Sequence, residues 1–178
     1  TARSTSFIKG EIITWSYLIT FFAPDFYGNP VTRNDWFGHY AEWAGFIGVI
    51  PLFLAFIAVT SKKIARWFFV ILSVLSLLLA TPTLLTDLMY SARIPVLSTS
   101  AASRIILLVS FSLSVLAAFG MDALSVLWIE KKKNKASIFA ISTGIFLAIV
   151  WFVLLFLYPM AADKLSVAVR NTILSSII

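Results

Sequence analysis

Residues 25–42 concentrate the groups in this chain that could do chemistry. Asp25, Arg33, Asp35, His39 and Glu42 fall within 18 positions, interleaved with Tyr27, Trp36, Phe37 and Tyr40. Carboxylates accept sugar hydroxyls or take a proton as general base. An Arg fork grips phosphate through two parallel bonds, and aromatic faces offer stacking. Those ingredients suit a carbohydrate or prenyl-phosphate ligand. They also describe an ordinary loop at a membrane surface, with Trp and Tyr at headgroup level and the charges in water. Pro24, Pro30, Gly28 and Gly38 predict turns across the segment rather than a helix. Glu42 closes it. A carboxylate stem is too short to snorkel, so a polar contact with Arg33 or Arg104 is expected. His39, three residues earlier, shares a face with Glu42 if the backbone is helical.

A second group runs from Arg93 to Arg104. Pro95 breaks any preceding helix, and Ser98, Thr99, Ser100 and Ser103 can all cap the helix expected to begin near Ser103. Free N–H groups at a helix start, beside hydroxyls and an Arg, make an anion site. That assigns Arg93 and Arg104 to the phosphate of a lipid-linked substrate. The alternative is an N-cap with a span-anchoring Arg. Asp122 reads as a structural partner of Lys131–Lys133, or of Lys62, Lys63 or Arg66. The chain has one His and no Cys, which excludes disulfides and thiolate sites and argues against zinc. No metal and no cofactor is assigned.

The elements that must position these groups are apolar. Of 178 residues, 60% are hydrophobic and only 12% charged, with sixteen Phe and six Trp. An average soluble domain is about 25% charged. A chain with half that charge lacks the polar groups to cover a folded surface, so a soluble globule and a disordered chain are both excluded. Four windows are long and apolar enough to span a membrane: 43–61, 67–86, 105–129 and 136–160. Gly45 and Gly48 permit close packing in the first, and Pro51 is expected to kink it. Residues 12–23, with Trp15, Tyr17, Phe21 and Phe22, suit an interfacial or re-entrant helix. The fold class is therefore all-α, a polytopic transmembrane bundle of four spans plus an extracytoplasmic amphipathic helix.

Charge sets the orientation. Loops 61–66 and 130–135 hold seven basic residues in twelve positions, against seven in the 78 positions of 1–42, 87–104 and 161–178. The two tight basic loops are therefore cytoplasmic. Segment 1–42, loop 87–104 and tail 161–178 face outward. The net charge of +6 follows this topology, so no nucleic-acid partner is expected; membrane lipid is. No signal peptide is visible and residue 1 is Thr. The chain reads as an internal piece of a longer polypeptide, whose remainder is a partner.

The order of these motifs carries a resemblance. Pro24-Asp25-Phe26-Tyr27-Gly28-Asn29-Pro30, then Tyr40-Ala41-Glu42 and a Gly-containing span ending Leu52-Phe53-Leu54-Ala55, resemble the middle of the bacterial YfhO-like membrane protein family. Ile94-Pro95-Val96-Leu97 through Arg104, then Leu116-Ala117-Ala118-Phe119-Gly120-Met121, and the upstream Ala2-Arg3-Ser4 resemble it too. The likeness covers residues 2–125. It implies a multispan GT-C-type protein of the cytoplasmic membrane that transfers sugar from a polyprenyl-phosphate donor during cell-envelope biogenesis. Family members are several times longer. The GT-C catalytic carboxylate usually lies in the first outer loop, which precedes this chain, so its catalytic residue is unassigned. The stretch between Ala80 and Pro95 also lacks a Gly that the family tends to carry. A transporter subunit or non-enzymatic envelope assembly factor is the alternative. A transporter would place charges at the bilayer midplane, whereas here they gather at the span ends.

Overall fold

The computed structural model describes residues 11–92, 101–129, 137, 148, 151, 152 and 162–177. Its regular structure is entirely helical, with no strand among the described residues. Residues 11–48 form an irregular cap. Below it stand α1 (Val49–Ile57), α2 (Arg66–Ala80), α3 (Leu84–Ser91), α4 (Ile106–Ile129) and α5 (Ala162–Ile177). Most of the 136–160 window lies outside the described residues.

The first window becomes helical only at Val49. Gly48 adopts φ +101°, a left-handed conformation open to Gly, and its carbonyl accepts the first bond of α1 from Leu52 N. Pro51 therefore occupies the first turn, where no N–H is required, and it starts the helix rather than kinking it. Residues 43–48 run as non-helical chain.

The second window is broken. After α2 the chain passes through Thr81-Pro82-Thr83 and turns by 70° into α3. Leu77 O keeps its helical bond from Thr81 N (3.0 Å) and also accepts Thr81 Oγ1 (2.7 Å), but Pro82 cannot continue α2, so the later carbonyls lose their ordinary partners. Threonine hydroxyls serve them: Thr83 Oγ1 donates to Leu78 O (2.6 Å). Thr86 Oγ1 reaches Leu78 O (2.8 Å) and Leu79 O (3.2 Å). The fourth carbonyl, Ala80 O, accepts Ile13 N from the cap at 3.0 Å. Thr81 and Thr86 are each at most 1% exposed, while Pro82 and Leu84 stand at the surface.

The third window matches a helix. A 3₁₀ turn over Ala102–Ile105 leads directly into α4, and Ala102–Val126 is long and apolar enough to cross a membrane, with a mean hydropathy of 2.1. It is the one described helix that is so by itself; the bent α2–α3 pair makes a second if taken as one span. Helix α4 packs against α1 through Ala55, Ala58, Leu116 and Ala117. Gly120 lets the two backbones touch: a Cβ there would lie 2.6 Å from the Leu54 carbonyl carbon.

Residues 12–23 do not form an exposed amphipathic helix. Trp15–Phe21 is a 3₁₀ helix, and Ile13, Tyr17 and Phe22 are at most 2% exposed. Within the 161–178 tail, Ala162–Ile177 is helical, and α5 packs Leu165 and Ala168 into the same core as Tyr17, Tyr27, Trp43, Val49, Ala80 and Val109. Cap and helices share one core. The helices meanwhile expose large apolar side chains outward, among them Phe56, Phe68, Ile71, Leu84, Leu107 and Phe111.

Candidate functional site

The cap is built on stacked rings. Tyr17 lies parallel to Tyr27 at 5.1 Å between centroids, and Trp43 meets Tyr17 edge-on at 4.9 Å. Trp36 meets Tyr27 edge-on at 4.9 Å. Such pairs contribute beyond their buried area. Gly28, at φ +88°, makes the turn that brings Trp36 N onto Tyr27 O (3.0 Å), and an added Cβ would sit 2.6 Å from the Asn34 carbonyl carbon. Sequence spacing sees these aromatics as headgroup-level side chains; Tyr17, Tyr27 and Trp43 are instead the interior of the cap.

One carboxylate oxygen of Asp25 is anchored in this framework. Its Oδ1 accepts the Tyr40 hydroxyl at 2.6 Å and Asn29 Nδ2 at 3.3 Å, and its carbonyl accepts Asn171 Nδ2 from α5 at 2.6 Å. The bond to Asp25 is the main reason the Tyr40 hydroxyl is pushed up to about 12, with burial and the Asp25 charge adding to it. Burial does the same to Tyr17, also to about 12, helped by Tyr27 and Asp25. A cleft of about 60 Å³ opens beside Tyr40, lined by Tyr17, Thr20, Pro24, Ala44, Gly45 and Phe46.

A second constellation forms where the cap meets the start of α4. Arg104 Nη2 donates to Glu42 Oε1 at 3.1 Å. His39 Nε2 lies 3.9 Å from Glu11 Oε1. One ligand-capable atom each of Glu11, His39 and Glu42 lies within 4.8 Å of the others, the one such trio among the described residues. The Arg104 bond holds the Glu42 carboxyl below its ordinary value against the opposing effect of desolvation; a bond with the Glu11 carboxyl and the Arg104 and His39 charges act in the same direction as Arg104. Trp43 backs the group, its ring edge-on to His39 at 5.1 Å and its Nε1 donating to Glu11 O at 3.3 Å.

Of the residues the sequence singles out, the structure brings together His39, Glu42 and Arg104. His39 and Glu42 are not on a helix; they share a turn in which Trp43 N bonds His39 O. Arg33 is not the partner of Glu42. It stands exposed in the left-handed region at φ 54°, which costs a non-Gly residue about 1 kcal/mol. Asp35 is exposed as well. Arg93 and Ser98–Ser100 lie outside the described residues. Ser103 does not cap α4: its hydroxyl is fully buried without a hydrogen-bond partner, and Tyr90 OH instead accepts Ala102 N at 3.1 Å. Glu11 is the member that sequence reasoning misses, since it borders the apolar 12–23 stretch, 28 positions from His39, and only the fold closes that distance. At the opposite end of the helices, Asp122 pairs with Lys63, which also lies over the Phe119 ring at 5.5 Å.

No known protein family matches the sequence, no curated protein matches it, and no solved structure matches the chain.

Proposed function

We propose that this chain is part of a polytopic membrane protein of the bacterial cell envelope, whose outer face engages a polyprenyl-phosphate-linked sugar in the manner of GT-C-type glycosyltransferases. The observation that carries this reading is the exposed Glu42–Arg104 pair, set at the cap end of helices whose outer faces are apolar. A lipid-linked phosphate presents the matching chemistry, a chain that dissolves in bilayer and an anion that stays at its surface. Arg104 spends one nitrogen on Glu42, is 64% exposed, and keeps further N–H donors for phosphate oxygens. The YfhO-like motif order supplies the sugar-transfer part of the proposal.

The proposed topology has four spans, at 43–61, 67–86, 105–129 and 136–160, with 61–66 and 130–135 in the cytoplasm. Its second span bends at Thr81–Thr83, and α3 runs along the outer surface. Non-helical chain is tolerated at membrane depth only where protein covers it. Gly45, against which the Phe21 ring closes, is covered in this way.

A second reading, a non-enzymatic scaffold, draws on the structural bonds of Asp25 Oδ1 with Tyr40 and Asn29 and on the pairing of Arg104 with Glu42.

The test uses the full-length protein in lipid nanodiscs, comparing its binding of a polyprenyl phosphate with that of the parent polyprenol. The phosphate is expected to bind tighter. Arg104→Lys keeps charge and stem but loses the fork. A charge-assisted bond contributes about 1.5–3 kcal/mol, so this change should weaken phosphate binding roughly 10- to 150-fold. Equal binding of phosphate and alcohol would overturn the proposal in favour of the scaffold.

A further inference from the structure

We propose that Glu11, His39 and Glu42 bind one divalent transition-metal ion of the Mn²⁺ or Zn²⁺ type. His39 and Glu42 share one turn and Glu11 joins them from 28 positions earlier, with the ligand-capable atoms of all three within 4.8 Å of one another. Ligands about 2.0–2.2 Å from a shared ion stand roughly 3.0–3.4 Å apart. The trio therefore needs a contraction of roughly 1.5 Å, within reach of side-chain rotation, and the His39 side chain is 48% exposed.

The donor set selects the ion class. Two carboxylates offset a 2+ charge, and an imidazole nitrogen favours transition metals over Mg²⁺ and Ca²⁺. The surroundings orient the ligands as metal sites require. Arg104 bonds one oxygen of Glu42 and leaves the other free, the kind of outer hydrogen bond that fixes a ligating carboxylate. Trp43 holds the Glu11 carbonyl and the His39 ring from behind. With Arg104 included, the loaded site carries a net positive charge and prefers an anion or hydroxide in its open positions, which face solvent. The site needs no particular substrate and stands independently of the sugar-transfer reading.

The experiment is metal binding by the full-length protein, purified without a histidine tag, stripped with chelator and titrated with Mn²⁺ while the free ion is followed by electron paramagnetic resonance. One Mn²⁺ per chain is expected, displaced by Zn²⁺ and poorly displaced by Mg²⁺. Glu11→Gln and His39→Gln should each weaken binding roughly 10-fold or more, with unchanged elution as a folded species. Asp122→Asn, at the opposite end of the helices, should leave binding unaltered. The wild-type stoichiometry requires no variant. Less than one tenth of an ion per chain, or binding that Glu11→Gln and His39→Gln leave unchanged, would overturn the site.

Discussion

Arg104 and Glu42 stand 62 positions apart in the chain and meet at 3.1 Å, joining the start of α4 to the end of the cap loop. The contact is exposed on both sides, and exposed pairs contribute little to folding. Its acid dependence is nonetheless defined. The Glu42 carboxyl is held below its ordinary 4.5, chiefly by the Arg104 bond. A depressed carboxyl contributes stability that is complete above its unfolded value and is lost as pH falls through the folded value. The pair should persist at pH 5 and come apart below 4.5. A ¹³C-carboxyl NMR titration of Glu42 checks this, and in Arg104→Ala its midpoint should move up. An identical midpoint in both proteins would remove Arg104 as the cause.

Tyr40 offers a second titration at the alkaline end. Its hydroxyl and that of Tyr17 are both pushed up to about 12. A raised phenol contributes stability below its unfolded value near 10 and loses it as pH rises through 12. Absorbance at 295 nm should show tyrosines still un-ionised well above pH 10. Asp25→Ala removes the acceptor at 2.6 Å, and Tyr40 should then ionise closer to 10 while Tyr17 shifts little. Ionisation of Tyr40 at its original pH in Asp25→Ala would contradict the assigned cause.

Gly120→Ala tests the backbone contact between α4 and α1. A methyl group there meets the Leu54 carbonyl, which has no side-chain freedom to move aside. Overpacking of this kind costs about 1–3 kcal/mol, so thermal unfolding in detergent should shift downward by several degrees. Gly45→Ala is a milder comparison, since the Phe21 ring that it meets can rotate. Equal midpoints for Gly120→Ala and wild type would show that the helices sit farther apart.

The proposed orientation is open to labelling because the chain contains no native Cys. Val31→Cys on the cap and Lys62→Cys at the opposite end are both at exposed positions. An impermeant maleimide applied to intact cells should react at position 31 and not at 62, and both should react after lysis. Labelling at 62 in intact cells would reverse the topology.

How much of this arrangement the sequence discloses depends on the kind of signal. Helix α4 is readable because its mostly apolar run carries no charge from Ile106 to Met121. The Glu42–Arg104 contact is readable too, since a short carboxylate beside an apolar window needs a partner. The break at Pro82 is visible as a residue but disguised by apolar neighbours on both sides. What makes it tolerable, the hydroxyls of Thr83 and Thr86 at the carbonyls of Leu78 and Leu79 and Ile13 N on that of Ala80, involves positions up to 67 apart. Burial of Tyr17 and Tyr27 is likewise hidden: an aromatic at headgroup level and one inside a cap have the same composition and period. Glu11 is invisible for the plainest reason, because the trio it joins exists only after the chain has folded back.

Asn171 donates to the Asp25 carbonyl across 146 positions, and this has a consequence for biogenesis. A ribosome adds about 5–20 residues per second, so roughly 7–30 s separate the emergence of Asp25 from that of its partner on α5. Through that interval the turn at Pro24–Asp25 lacks its last tether, and Leu165 and Ala168 have yet to close the aromatic core. The cap is therefore completed only once α5 has been made, well after its own aromatics have emerged.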